Sequence, residues 1–486
     1  MSIVADNQHF EQLVKAGNPI GEVIGVDHFI VKIRGLHPVG IHSLVMFQNG
    51  EHGFVNRVYK DRIMVLYLGT QELEIGSMAV VQSGELVCKV GKDYIGRVVN
   101  ATGDPIDGKG PIAMDDVWPI FNFAPPIRER QELDVQLETG VTAIDSLFPV
   151  VRGQRMALLG DSRSGKSTLA TQMTINQKNT DQIVIYVLIA KKRSDVNTLL
   201  TRLEESGSMS KAIVIVTTTF ESLVLSYLAP YVGCSMGEFL WQKLNQDTII
   251  IYDDLTNHAH IYREISLISG TNPGRESYPG DMFYTHSSLL ERAGRISRNG
   301  KHQTAIPIVV AEDSDVTGFL TTNIMSITDG QWILDMDTFR KSVRPAISLG
   351  LSVTRIGQAG QNQRQKQLSD QTLKSLAEYR QADEYSHFGT EMALETTAQL
   401  QRGKHILELI TQGPLETYSL MSQQLMLDIV LRVDTTSFLD LKLLKQLANE
   451  ESKKIKDDKE FDVVLGGLIQ KTVKASKKPE VKSEAQ

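Results

Sequence analysis

The chain has 486 residues and a formal net charge of −7, from 51 Lys and Arg against 58 Asp and Glu, a balance that argues against nucleic acid as the main partner. Its length exceeds one compact core and asks for about two to four domains, and a composition of 41% hydrophobic and 22% charged residues is that of an ordinary globular protein. Cys88 and Cys234 stand far apart with no pairing motif, as in a reducing compartment, and no apolar run approaches the ~18 residues that span a bilayer.

Residues 1–20 read as a short helix or arm, and the opening MSIVADNQHFEQ has neither a secretory nor a transit character. From Gly21 the pattern turns to short β runs: Phe29, Val31 and Ile33 alternate with polar residues, and further runs follow at 62–68, 78–81 and 85–90. Short strands at this spacing predict a small barrel or sandwich. NATGDPIDGKGP at 100–111 is dense in turn formers and reads as a boundary loop. Apolar runs then recur at 155–159, 183–189, 212–217, 248–252 and 306–310, separated by helix-length segments. Unalternated apolar strands are what a parallel sheet covered on both faces requires. From Ser369 onward strand signals vanish and amphipathic helices dominate. The segment after Glu450, rich in Lys, Asp and Glu, predicts one helix and a disordered end, KKPEVKSEAQ.

Two motifs carry chemistry. LGDSRSGKSTL at 159–169 places Gly160, Gly165, Lys166 and Ser167 in the pattern G-x-x-x-x-G-K-[ST], between a strand and a helix. Backbone N–H groups of Gly160, Asp161, Ser162, Arg163, Ser164, Gly165 and Thr168 would wrap phosphates at a helix N-terminus, Lys166 would contact the outer phosphates, and the Ser167 hydroxyl would serve Mg²⁺. TIIIYDDL at 248–255 is an apolar strand ending in Asp253, where such folds place a carboxylate near the same metal.

The surrounding segments carry a resemblance. YDDLTNHAHIYREISL, NPGRESYPGDMFYTHSSLLERAGR (272–295), NIMSITDGQ (323–331), RPAISLGLSVTRIGQAGQ (344–361) and GRVVNATGDPIDGKGP (96–111) look like the alpha subunits of F-type ATP synthases, over roughly residues 20–430. The resemblance implies a multi-domain chain: a short N-terminal arm (1–20), a β-barrel (21–95), an α/β RecA-like P-loop NTPase domain (96–368), an α-helical domain (369–450) and a charged C-terminal extension (451–486). It implies three alpha chains alternating with three catalytic beta chains around a central gamma stalk, held by a delta/b peripheral stalk to a membrane sector, with ATP and Mg²⁺ bound by alpha but not turned over. It assigns Arg355 as an arginine finger into a neighbouring beta site, with Ser352 and Ser326 at the same interface. Phe339, Arg344 and Gln412 are assigned to the adenine pocket.

Hydrolysis needs a carboxylate to activate the attacking water. In catalytic relatives a glutamate follows the strand after the cradle helix; here IVIYVLI leads into Ala190 and Lys191, where alpha chains commonly carry Gln. A protonated lysine accepts no proton; the competing acid is Asp195. Further departures are GDSRSGKS for the usual GDRQTGKT, a shortened loop at 297–303, Val310 in place of a glutamate, a short N-terminal segment and the extension past 450. The competing readings are a self-sufficient homohexameric ATPase of the protein-export or RNA-translocating kind, or a synthase-like motor adapted to another mechanical task. The first needs the activating glutamate, and an RNA motor needs basic and aromatic residues that 21–95 does not concentrate. The absence of a transit segment places the expected site of action at the cytoplasmic face of a bacterial plasma membrane.

Overall fold

The structure is a computed structural model that describes residues 3–312, 315–386, 394–434 and 437–474; the expected disordered end at 477–486 lies outside them. The chain forms an N-terminal barrel, a central α/β nucleotide-binding domain and a C-terminal helical domain. It divides into two compact units, one of Met1–Glu132, Asp181–Val310 and Asp315–Thr328, the other of Leu133–Thr180, Ala311–Ser314 and Asp329–Gln486.

In the first unit the helix Ile3–Lys15 buries Phe10 against Met46 and Val80. Six antiparallel strands follow: β1 (Ile20–Asp27), β2 (Ile30–Gly35), β3 (Leu44–Phe47), β4 (His52–Val58), β5 (Ile63–Tyr67) and β6 (Met78–Ser83). They close in the order β1-β2-β5-β4-β3-β6, which resolves the choice between barrel and sandwich. Closure leaves no free sheet edge, and the alternate apolar residues Val23, Val31, Ile33, Val45, Val55 and Val65 fill the interior.

The same unit holds a parallel sheet. Ile183–Lys191 lies between Ala212–Thr218 and Thr248–Asp253, with Val98–Val99 outside the former and His302–Val310 outside the latter. Residues 183–189 are buried throughout, as a strand covered on both faces must be. The helix Leu223–Gln242 corrects one expectation: its 20 residues are apolar and long enough to cross a membrane. Yet 83% of its apolar window is buried, which marks it as a core helix. Gly233 shows the packing: a Cβ there would stand 2.4 Å from Val187 Cγ2.

In the second unit Ala157–Gly160 pairs in parallel with Gly330–Leu334, which pairs antiparallel with Val353–Thr354. The helices Gln363–Ser386, Leu394–Ile410, Leu420–Arg432, Leu441–Glu451 and Asp458–Thr472 follow. The last begins where Asp457 accepts the Glu460 N–H at 2.8 Å, an ordinary N-cap. Strand structure does not stop at residue 369, because Phe438–Leu439 pairs with Val473–Lys474.

Candidate nucleotide site

The buried strand Ala157–Gly160 delivers the chain into a tight loop and then the helix Lys166–Asn176. Only glycine fits at 160, since a Cβ would meet Ser164 Oγ at 2.8 Å and Leu334 Cβ at 3.0 Å. Arg163 and Gly165 turn the loop through positive φ, at 64° and 101°. Gly165 brings no side chain to cap the helix, so the first-turn N–H groups are left to an acceptor from outside. The Asp161 carboxylate accepts the Ser162 N–H at 2.7 Å. Lys166 is 8% exposed and folds over its own loop, donating to the carbonyls of Gly160 at 2.8 Å and Asp161 at 2.6 Å. Ser164 Oγ is buried without a hydrogen-bond partner among the described residues, as expected of a loop shaped for an anionic guest. Ser167 is exposed and Thr168 half-buried at the helix start.

Behind the loop lies a cavity of about 320 Å³, at the lower end of the range for small-molecule sites. Arg163, Ser164, Gly165 and Thr168 line one side; Phe339, Arg344 and Gln412 line the other. The short helix Met336–Arg340 carries Phe339, and Asp335 fixes its start by accepting the Thr338 N–H at 2.8 Å. Burial opposes ionisation of Asp335, but the hydrogen bonds from Thr338 hold it below the usual carboxylate range. The Arg344 guanidinium carbon sits 3.4 Å from the Phe339 ring centroid, which makes the pair a flat, cationic wall. Gln412 forms wall rather than contact group: its oxygen accepts the Thr142 N–H at 2.6 Å, and its nitrogen donates to Gly140 at 3.0 Å and Glu416 at 2.9 Å. The sequence reading missed Leu169, Gln172 and Pro414, which also line the cavity. Gln172 follows Thr168 by one helical turn, and that spacing was the signal available; it donates to the carbonyls of Gly413 and Glu416 and holds the 413–416 loop.

Asp253 belongs to the first unit, at the end of Thr248–Asp253, and is 2% exposed. Tyr186 donates its hydroxyl to Asp253 Oδ2 at 2.9 Å. Lys191 Nζ lies 2.6 Å from Asp253 Oδ1 and 2.9 Å from Asp254 Oδ2. Asp254 also caps the helix Leu255–Ile268 through the Asn257 N–H at 2.7 Å. Burial alone would lower the Lys191 pKa, but Asp253 and Asp254 outweigh it and raise it. Lys191 is therefore a fixed cation. Asp195 is exposed in the first turn of Arg193–Glu205, where its side chain accepts from the neighbouring Ser194 hydroxyl at 3.3 Å. Among the described residues, no group of three His, Cys, Asp or Glu could hold a metal.

Arg355 is exposed, and its backbone N–H donates to the Asp329 carbonyl at 3.0 Å. Arg155 grips the Asp329 carboxylate through two bonds of 3.0 and 2.7 Å. Ser352 is buried and accepts the Ile333 N–H at 3.0 Å, so it ties the Arg355 segment to Gly330–Leu334. Ser326, in the first unit, is exposed and donates to the Asn323 carbonyl at 2.7 Å.

A strand, a glycine loop bearing lysine and serine, a helix and a cavity behind them define a P-loop nucleotide-binding protein. The nucleotide-binding domain of the ATP synthase alpha/beta family matches residues 140–354, and the C-terminal domain of the ATP synthase alpha/beta chain matches 361–482. The second match runs well past residue 450. The ATP synthase subunit alpha of Nitrosomonas europaea is 41% identical over 421 residues, covering 84% of this chain and 82% of the relative. An ATP synthase subunit alpha 2 of Legionella pneumophila (strain Corby) is 41% identical over 81% of this chain and 78% of its own. The ATP synthase subunit alpha of Thiobacillus denitrificans is 40% identical, over 83% of this chain and 80% of its own. The chain belongs to the ATP synthase alpha/beta family, and these three relatives are alpha subunits.

Proposed function

We propose that this chain is the non-catalytic, nucleotide-holding alpha subunit of a rotary F-type ATP synthase and that it lends Arg355 to neighbouring catalytic beta subunits. The observation that carries the reading is Lys191: the position expected of the water-activating carboxylate holds a lysine paired to Asp253 and Asp254, and a paired ammonium cannot take a proton. ATP fits the second unit. The loop from Gly160 to Thr168 would hold its phosphates, and Phe339 with Arg344 would flank the base. A bound nucleotide that is never hydrolysed acts as a ligand of the folded state and stabilises it. Ser167 is open to magnesium in one unit; in the other, Asp253 stands in an ion pair with Lys191 and accepts from Tyr186 on Oδ2, while its Oδ1 is buried without a hydrogen-bond partner among the described residues, and no step is assigned to the metal.

The partners proposed are beta subunits in an alternating ring of three and three, the gamma stalk and the delta/b peripheral stalk. Association with the membrane is peripheral, through those partners, at the cytoplasmic face of a bacterial plasma membrane. Arg355, exposed at the end of Val353–Thr354, would stabilise charge on the phosphoryl group in the neighbour's site. The purified chain is expected to show negligible ATPase, and addition of a beta partner to restore it. Arg355→Ala should lower turnover of the complex by roughly 10³-fold or more while the ring still assembles on size exclusion. Brisk hydrolysis by the chain alone would replace this reading with a self-sufficient export-type motor.

A further inference from the structure

We propose that the second unit carries a further ligand site, for a small molecule with an apolar body and one carboxylate head, and that Lys445 anchors the head. The residues that form it all belong to that unit.

The site is a cavity of about 830 Å³, toward the upper end of the range for small-molecule pockets. Protein interiors leave few voids larger than a water molecule, so a space of this size is a site rather than a packing gap. Val343 and Ile347 follow the helix Met336–Arg340; with Leu376 and Tyr379 of Gln363–Ser386 and Leu407 and Ile410 of Leu394–Ile410 they give it apolar walls. Four cations, Lys341, Arg380, Lys404 and Lys445, line it against two carboxylates, Asp383 and Glu408, so the lining is net positive. Lys341, Arg380 and Lys404 are exposed and mark the mouth. Alone they would be ordinary solvated surface charges.

Lys445 is different. It stands on the helix Leu441–Glu451 and is half-buried. Its Nζ donates to the Thr411 carbonyl at 2.6 Å and the Glu408 carbonyl at 3.2 Å, at the C-terminal end of Leu394–Ile410, where a cation is favourably placed. An ammonium has three N–H donors. Capping the helix uses two of them, and the third has no acceptor among the described residues. Burial lowers the Lys445 pKa, and the charges of Glu416 and Glu408 offset only part of that. A partly desolvated ammonium with one donor to spare, lining an apolar cavity, complements a singly charged head on an apolar body. Pro345 lines both this cavity and the nucleotide cavity. Thr411, held by Lys445, directly precedes Gln412 of the nucleotide wall. An occupant would therefore rest against segments that shape the nucleotide cavity.

The test is calorimetric titration of octanoate, 1-octanol and acetate into the purified full-length chain. Octanoate is expected to bind saturably, one per chain, and the neutral alcohol and the bare head each at least tenfold more weakly. Lys445→Met keeps an apolar stem of similar length and removes the charge. It should weaken octanoate by roughly tenfold or more, the weight of one bond to a charged group, and leave 1-octanol unchanged. No saturable octanoate binding, equal affinity for octanoate and 1-octanol, or full octanoate affinity in Lys445→Met would each overturn the proposal. A second measurement needs no variant: photolabelling of the wild-type chain with a diazirine-bearing fatty acid, with and without excess octanoate. The label is expected in peptides covering 338–349, 376–383 or 404–411 and should be lost on competition. Competed label confined to other peptides would place the ligand elsewhere and overturn the assignment.

Discussion

At the scale of single residues, the polar groups that matter are those whose charge the fold has fixed. Asp247 is buried just before the strand Thr248–Asp253. It accepts the His302 N–H at 2.8 Å, bonds His302 Nδ1 at 2.9 Å and takes Lys301 Nζ at 3.3 Å. Burial opposes its ionisation, but the bonds from His302 and the Lys301 charge win and hold its pKa well below the carboxylate range. The unfolded chain therefore binds a proton at a higher pH than the folded one. Stability from this group is fully present above the ordinary aspartate value of about 4 and drains away as pH falls below it. Asp247→Asn should cost about 1–3 kcal/mol at pH 7, and the gap to wild type should narrow as pH drops below about 4. Urea titrations at pH 7 and pH 3.5 check both points; an equal gap at the two pH values would rule the mechanism out.

Residue-scale chemistry was unevenly legible in the sequence. The phosphate loop was readable because its function lies in eight consecutive positions. Lys191 was readable as a missing base, but its pairing with Asp253 joins strands that are neighbours only in the fold. Glu238 makes the same point. A lone acid in an apolar helix could have been noticed, yet its partners Arg292, Trp118 and Asn122 come from elsewhere in the chain.

At the scale of elements, long apolar strands and the amphipathic C-terminal helices were legible because their pattern is periodic and continuous. The two-residue strands Val98–Val99 and Val353–Thr354 were not, since two residues carry no period. Helix pairing was equally hidden. Gly403 lies inside Leu394–Ile410, where alanine would ordinarily favour the helix by about 1 kcal/mol. A Cβ at 403, however, would meet Tyr379 Cβ and Cγ at 2.3 Å. The glycine lets this helix approach Gln363–Ser386 closely, and the contact reverses the usual preference. Gly403→Ala is expected to destabilise the chain by about 1–3 kcal/mol, read as a lower urea midpoint with an unchanged slope. A smaller cost of Gly403→Ala in a Tyr379→Gly background, which removes both the Cβ and the ring, would locate the clash; a more stable Gly403→Ala would refute it.

At the scale of the whole molecule, the division into two units separates the parts of the chemistry. The loop Gly160–Thr168, Phe339, Arg344 and Gln412 belong to one unit, and Lys191, Asp253 and Asp254 to the other. If the nucleotide is held chiefly by the loop and its facing wall, ATP should protect the unit that contains them. At a ligand concentration of about 100 times Kd, binding stabilises the structure it engages by about 2.7 kcal/mol, which slows exchange through openings that break the site by roughly 100-fold. Hydrogen exchange followed by mass spectrometry should therefore show ATP-dependent protection in 133–180 and 329–412, strongest at the start of Lys166–Asn176. Lys166→Ala should remove that protection, because it deletes the ammonium expected at the outer phosphates. Phe339→Ala should reduce it without abolishing it, since the phosphates would still be held. Protection confined to peptides of the first unit would place the nucleotide elsewhere and end the assignment of the cavity.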